Sequence, residues 1–446
     1  MLCKRATWLS TSCFLYFLLL SMATVQSQGI HTDSTLTEAT LENVIRFAIK
    51  NQPLILQSQI DETIKEQEIK NALSEWYPQI NFAYNFQHNF QVPVAVINGN
   101  NIKLGVENTS YGQFTLRQVL FNPDVLLAKK AKGDVQLQAR QYTNSNKIDI
   151  AAEVTKAFYG VLESLQQSAI ADGDIARLER SLKDATNQYK AGVADKIDYK
   201  RTTIALNNAK ARKSGIEANL KSRMEFLKYV MNYPPKSPLQ LIYDTTRLER
   251  EIEMDTTLKP DLNNRIEYQM LETQRKLLGY NYDYNRWAYL PTVSANAAYN
   301  LNYNSNDFSK LYATNFPSSY AALAINFPIF QGGKRKSNIK QAELALKRTD
   351  WDIINLKNSV NAEYEQAMAT YKTNYAAYQS LKENLSLAQE VYDVIQLQYR
   401  SGIKAYLEVI TSETDLRNAR ITYIVALYNL LSSKVDVQKS LGILNY

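Results

Sequence analysis

The amino-acid sequence predicts a mainly α-helical, internally duplicated chain. Each half carries two amphipathic β-strands and then a very long helical hairpin. Three observations predict this. Four short segments, two in each half, alternate with period two. After each strand pair, apolar residues recur with heptad spacing over about 60 residues. Matching words also recur about 210 residues apart, a period too long for a solenoid and suited to a duplicated domain. They are Trp76-Tyr77-Pro78 with Tyr289-Leu290-Pro291, Tyr189-Lys190-Ala191-Gly192 with Tyr399-Arg400-Ser401-Gly402, and Asn208-Ala209-Lys210 with Asn418-Ala419-Arg420.

Residues 1–27 come first. Lys4 and Arg5, the apolar run from Phe14 to Leu20 and the small-residue site at Val25-Gln26-Ser27 predict a secretory signal peptide, with the mature chain starting near Gln28. Both cysteines, Cys3 and Cys13, fall in that segment, so the mature chain is expected to have no thiol chemistry. A first repeat spans 28–232. It comprises a helix, a β-hairpin at 79–121 and a helical hairpin with its tip near 189–193. The segment 233–260 opens with Tyr233-Pro234-Pro235-Lys236-Ser237-Pro238 and reads as a break with short local structure, placed as a belt outside the mid-section of the helices. A second repeat spans 261–446, with its β-hairpin at 291–330 and its tip near 399–403.

The strands are the informative elements. From Ile80 to Phe90 the even positions are mostly aromatic or aliphatic and the odd ones mostly amides. Gln113–Arg117, Val293–Tyr303 and Ala321–Phe327 continue the alternation. Period two sends the two sets to opposite faces of a sheet. An amide face suits a water-filled lumen, and a Phe/Tyr/Leu face suits lipid. After the leader no apolar run reaches about 18 residues, so any membrane insertion falls to the strands. Four strands do not close a membrane barrel, since the smallest have about eight. An open edge in hydrocarbon leaves backbone groups unsatisfied. The strands are therefore expected to be pooled between copies, and a cyclic trimer supplies about twelve. The polar loops at about 91–110 and 304–319 would lie outside the cell. The sequon-like Asn108-Thr109-Ser110 is assigned no role.

Pro78 and Pro291 end a helix and open a strand, and Phe121-Asn122-Pro123 and Phe330-Gln331-Gly332-Gly333 turn the chain back into helix. In the second long helix, about 334–399, one heptad position reads Val360, Ala367, Asn374, Leu381, Ala388, Ile395 and another Tyr364, Tyr371, Tyr378, Leu385, Tyr392, Tyr399. The first, about 124–188, repeats this register with Ile150 to Ala185 and Val154 to Tyr189. The tyrosine stripe reads as packing surface. Gly192 and Gly402 sit where helix-stopping glycines belong.

Several functions are excluded. The net charge of +7 is spread along helices and forms no basic patch for nucleic acid. Gly332-Gly333-Lys334 lacks the other residues of a phosphate loop. The only histidines, His31 and His88, are far apart in sequence. No nucleophile motif, dinucleotide fingerprint or metal-ligand cluster is present, so no enzyme activity and no cofactor is expected. A periplasmic coiled-coil scaffold shares the hairpins and the leader, and remains the alternative.

Taken in order, the duplicated plan, the helix-proline-strand joints, the Phe-Gln-Gly-Gly exit and the two Tyr-x-x-Gly turns resemble the TolC-like outer-membrane efflux and secretion channels over residues 36–442. The resemblance implies a homotrimer in which a twelve-stranded outer-membrane barrel, four strands per chain, continues into a helical α-barrel crossing the periplasm of a Gram-negative cell. It implies outer-membrane lipid around the strands, and a periplasmic adaptor and an inner-membrane pump of RND or ABC type as partners. Efflux or type I secretion would then be passive passage of small molecules. The resemblance also implies a closed periplasmic end, held by Asp198, Tyr399 and, in the place of the family's arginine, Lys404. The constriction would be set by Glu408, with Thr411 standing where a second acidic ring occurs. Adaptor tips would grip Ala191, Gly192 and Val193 on one turn and Ser401, Gly402 and Ile403 on the other.

Overall fold

Proline and glycine punctuate both halves, and the elements between them follow. The computed structural model describes residues 36, 38–192 and 195–444. The expected signal peptide 1–27, with Cys3, Cys13 and nearby His31, lies outside the described residues, as does Val193. Helix α1 (Leu41–Asn51) is capped by Thr40, whose hydroxyl accepts from the Asn43 amide. Helix α2 (Pro53–Ser74) starts on a proline, whose missing N–H costs nothing in the first turn. Strands β1 (Gln79–His88), β2 (Val94–Ile97), β3 (Asn100–Lys103) and β4 (Asn108–Phe121) follow. Then come helices α3 (Pro123–Lys190), α4 (Lys196–Met231), α5 (Thr245–Arg250) and α6 (Ile266–Trp287). Strands β5 (Thr292–Ser305) and β6 (Ser318–Asn326), and helices α7 (Lys334–Arg400) and α8 (Tyr406–Leu441), complete the second copy.

Helices α3 and α7 have 68 and 67 residues. At 1.5 Å per residue each is roughly 100 Å long. Each is flanked by two shorter helices, α2 and α4 beside α3, and α6 and α8 beside α7. The short helices meet where each pair abuts. Asn232, which caps α4 in the left-handed conformation, donates its side-chain amide to the Asn51 carbonyl at 2.9 Å, and Gln52 donates to the Val230 carbonyl at 3.1 Å. In the other copy, buried Arg265 donates to the Ser440 carbonyl at 2.9 Å and pairs with Glu267 and Glu363. Gly442, at φ 71°, passes so close to Asn264 that a Cβ would sit 2.7 Å from its carbonyl oxygen. Both the conformation and the space there require glycine.

The main sheet has the order β1-β4-β5-β6 and is antiparallel throughout. Its register pairs Ile80 with Leu116, Phe82 with Phe114, Leu116 with Ala297, and Val293 with Ile325. The loop expected at 91–110 is partly structured. Asn98 and Gly99, with φ of 50° and 79°, make a tight turn joining β2 to β3. An Asn-Gly pair is the usual occupant of such a turn because both residues need positive φ.

The core lies at the mid-section, where α1, α3, α4 and α8 meet. Phe158, Leu162, Leu227, Met231, Leu430 and Leu431 are fully buried there. The segment 233–260 packs across α7 and α8 at this level. The hydroxyls of Tyr364 and Tyr371 donate to the carbonyls of Leu258 and Ile252 at 2.5 and 2.9 Å, and Tyr423 donates to Glu249 at 2.7 Å. The tyrosine stripe is therefore packing surface with a polar anchor at each tip. No described helix is long and apolar enough to cross a membrane.

Candidate functional site: the sheet and the helical tips

The register decides the chemistry of each sheet face. One face gathers Ile80, Phe82, Tyr84, Phe114, Leu116, Val293, Ala295, Leu323 and Ile325. The other gathers Asn81, Asn85, Gln113, Thr115, Asn296, Asn300, Asn302 and Asn326. Every residue of β1 and β6, the two edge strands, is exposed. Each edge presents a row of unpaired backbone groups beside an apolar face, which is stable in lipid only if another copy of the chain pairs with it.

At the opposite end the two turns are near copies. Gly192 and Gly402 both have φ 74°, the left-handed conformation that stops α3 and α7. The Ile403 amide donates back to the Gln398 carbonyl at 2.9 Å, and the Ser401 amide to the Leu397 carbonyl at 3.1 Å. Asp195 caps α4 by accepting from the Ile197 amide at 2.9 Å. Ala191, Gly192, Ser401, Gly402 and Ile403 are all exposed. Asp198 and Glu408 each stand six residues beyond a turn glycine, in the first turn of the return helix, where the helix dipole favours a carboxylate.

The gate residues are not all brought together. Tyr399 packs on Tyr406 with ring centroids 5.5 Å apart. Burial pushes the Tyr399 hydroxyl above its ordinary pKa, a Gln188 hydrogen bond pulls it back, and the Asp198 and Asp184 carboxylates raise it further. Tyr399 and Asp198 thus lie within each other's field across the two hairpins. Lys404 is engaged elsewhere, its Nζ lying 2.7 Å from Glu408 Oε2 on its own segment. The spacing of four residues across the helix start brings these two side chains together. Thr411 is exposed, and its hydroxyl donates to the Leu407 carbonyl of its own helix at 3.1 Å.

Two contacts between the hairpins escape a reading of the sequence. Thr202, fully buried, meets the Tyr406 hydroxyl at 3.0 Å. Farther from the tip, Arg177 lies 2.5 Å from Asp174 and, through Nε, 3.2 Å from Glu413 on α8. The Tyr392 ring of α7 sits 5.8 Å from the Arg177 guanidinium. Asp174 and Glu413 are buried, and burial raises the Glu413 pKa above its ordinary value. Burial, together with Arg212, lowers the Arg417 pKa. Asp174 and Arg177 are neighbours at three-residue spacing on α3, but no local pattern ties them to Tyr392 on α7 or Glu413 on α8.

The model of the outer membrane efflux protein family matches residues 44–232 and 260–443. The chain belongs to that family. Its relatives include the outer membrane protein TolC of Salmonella enteritidis, 21% identical over 92% of this chain and 84% of the relative. Another is the outer membrane protein OprJ of Pseudomonas aeruginosa, 21% identical over 95% of this chain and 89% of the relative. Among solved structures, CusC superposes with a TM-score of 0.72 at 15% identity, covering 92% of this chain and 93% of CusC. The family member described here is an outer-membrane channel reaching into the periplasm. It is one subunit of a trimer that serves a periplasmic adaptor and an inner-membrane pump. Three open-edged sheets close one another into twelve strands, an arrangement in which the Phe/Leu/Ile face suits lipid and the amide face suits water. The periplasmic-scaffold alternative leaves both the family and the two open sheet edges unexplained.

Proposed function

We propose that the two turns and the first turns of α4 and α8 form the closed, pump-facing end of this channel. Asp198 and Tyr399 hold the two hairpins of one chain together there. Lys404, paired with Glu408, fixes the start of α8 and so acts on the lock indirectly. Glu408 and Thr411 line the constriction. Ala191, Gly192, Val193, Ser401, Gly402 and Ile403 are the adaptor's docking surface. The observation that carries this reading is Tyr399, which is half-buried, hydrogen-bonds Gln188 of α3 and feels the field of the Asp198 carboxylate of α4.

On this reading the repeats 28–232 and 261–446 are two equivalent arms, joined by 233–260. The duct performs no chemistry on its cargo. Relatives include a solvent efflux pump outer membrane protein and a proteases secretion protein. We propose export of small molecules here, with the substrate chosen by the pump. Planar-bilayer recording tests the lock. Asp198→Ala and Tyr399→Phe should each raise single-channel conductance over wild type, and unchanged conductance in both removes them from the gate.

A further inference from the structure

The sheet carries a charge asymmetry that the tip does not balance. Among β1, β4, β5 and β6, Arg117 is the only charged side chain apart from the histidine His88. Its register partners are Gln79 on β1 and Asn296 on β5, which puts it on the amide face. Gln79 is the first residue of β1, so Arg117 lies at the helical end of the sheet. It is exposed, and no ion pair to it occurs among the described residues. At the far end of the duct each Glu408 carboxylate is already matched by Lys404 at 2.7 Å.

We propose that Arg117 is the charge-selectivity determinant of the barrel, three copies forming a cationic collar that favours organic anions such as carboxylates, sulfonates and phosphates. The inference rests on the amide face being the lumen. Collars of like charge in a constricted pore set ionic preference. Three guanidinium groups about 10 Å from the axis, screened by 0.1 M salt, raise the anion-to-cation ratio roughly five-fold over a neutral wall.

The described residues contain no cysteine, so Arg117→Cys supplies a single addressable thiol there. The trimer carrying it would be treated with small water-soluble thiosulfonates of either charge. Modification would be scored by mass, and reversal potentials recorded in a potassium chloride gradient. The expected result is ready modification, with the chloride-to-potassium permeability ratio lowered roughly three- to five-fold in Arg117→Cys. The cationic reagent should restore the ratio and the anionic one lower it further. Ready modification with an unchanged ratio overturns the proposal and leaves the barrel assignment standing. A thiol that resists both reagents but reacts with an apolar maleimide places position 117 in lipid and overturns the face assignment itself.

Discussion

Replacing Arg177 by methionine keeps most of the side-chain volume and removes the charge that Asp174 and Glu413 share. Their side chains are only 4% and 9% exposed, and Arg177 itself is 21% exposed. One Asp174 oxygen already lacks a hydrogen-bond partner among the described residues. The substitution therefore leaves two buried carboxylates with the Arg417 charge, itself disfavoured by burial, to offset them. Breaking a buried pair from one side costs about 3–5 kcal/mol, most of it the penalty of the charge left behind. Heat unfolding of such channels is read as an apparent midpoint at fixed scan rate. Scaling the usual conversion to a chain of this length gives roughly 1–2 °C per kcal/mol, so a fall of about 3–10 °C is expected by circular dichroism at 222 nm. Adding Asp174→Asn and Glu413→Gln to Arg177→Met removes the stranded charges and should recover most of the loss. A single variant that melts with the wild type, or a triple variant no better than the single, would refute the claim that this knot ties the hairpins by charge.

The remaining predictions concern other contacts. Glu413, raised by burial, binds its proton more tightly in the folded chain than in the unfolded one. Its contribution to stability is full below the ordinary glutamate pKa and is lost as pH rises through the raised value, so mild acidification should raise the melting midpoint and Glu413→Gln should flatten that slope. Tyr371→Phe removes the hydroxyl bonded to the Ile252 carbonyl at 2.9 Å and should cost about 1 kcal/mol, read as faster proteolysis within 249–258. Gly402→Ala forces a Cβ into a left-handed turn at φ 74°, costing about 1–2 kcal/mol, and should weaken adaptor capture in a pull-down. Lys404→Ala unpairs Glu408 and should shift the reversal potential measured in a potassium chloride gradient toward cations.

Much of this architecture is written in local patterns. Alternation at Ile80–Phe90 and Val293–Tyr303 marks strands because side chains of an extended chain reverse face at every residue. The heptads through Tyr364 and Tyr371 mark a coiled helix for the corresponding reason at period 3.5. Pro78, Pro291, Gly192 and Gly402 mark boundaries because one lacks a donor and the other tolerates positive φ. Even the need for neighbours follows from counting strands. The segment 91–110 reads as a polar loop and the β2–β3 hairpin inside it was missed, although its Asn98-Gly99 turn is an equally local signal.

What the sequence by itself determined, then, is the long helices and the four strands of the main sheet, their order, the two faces of that sheet and the requirement to assemble. Tertiary structure alone decided which charges and hydroxyls meet. Arg177 finds Glu413, Tyr371 finds Ile252 and Tyr406 finds Thr202 across more than a hundred residues of chain. Periodicity reports which side of an element is buried, whereas a long-range partner depends on how far one 100 Å rod has slid along another, and that is settled by the packing of the whole bundle.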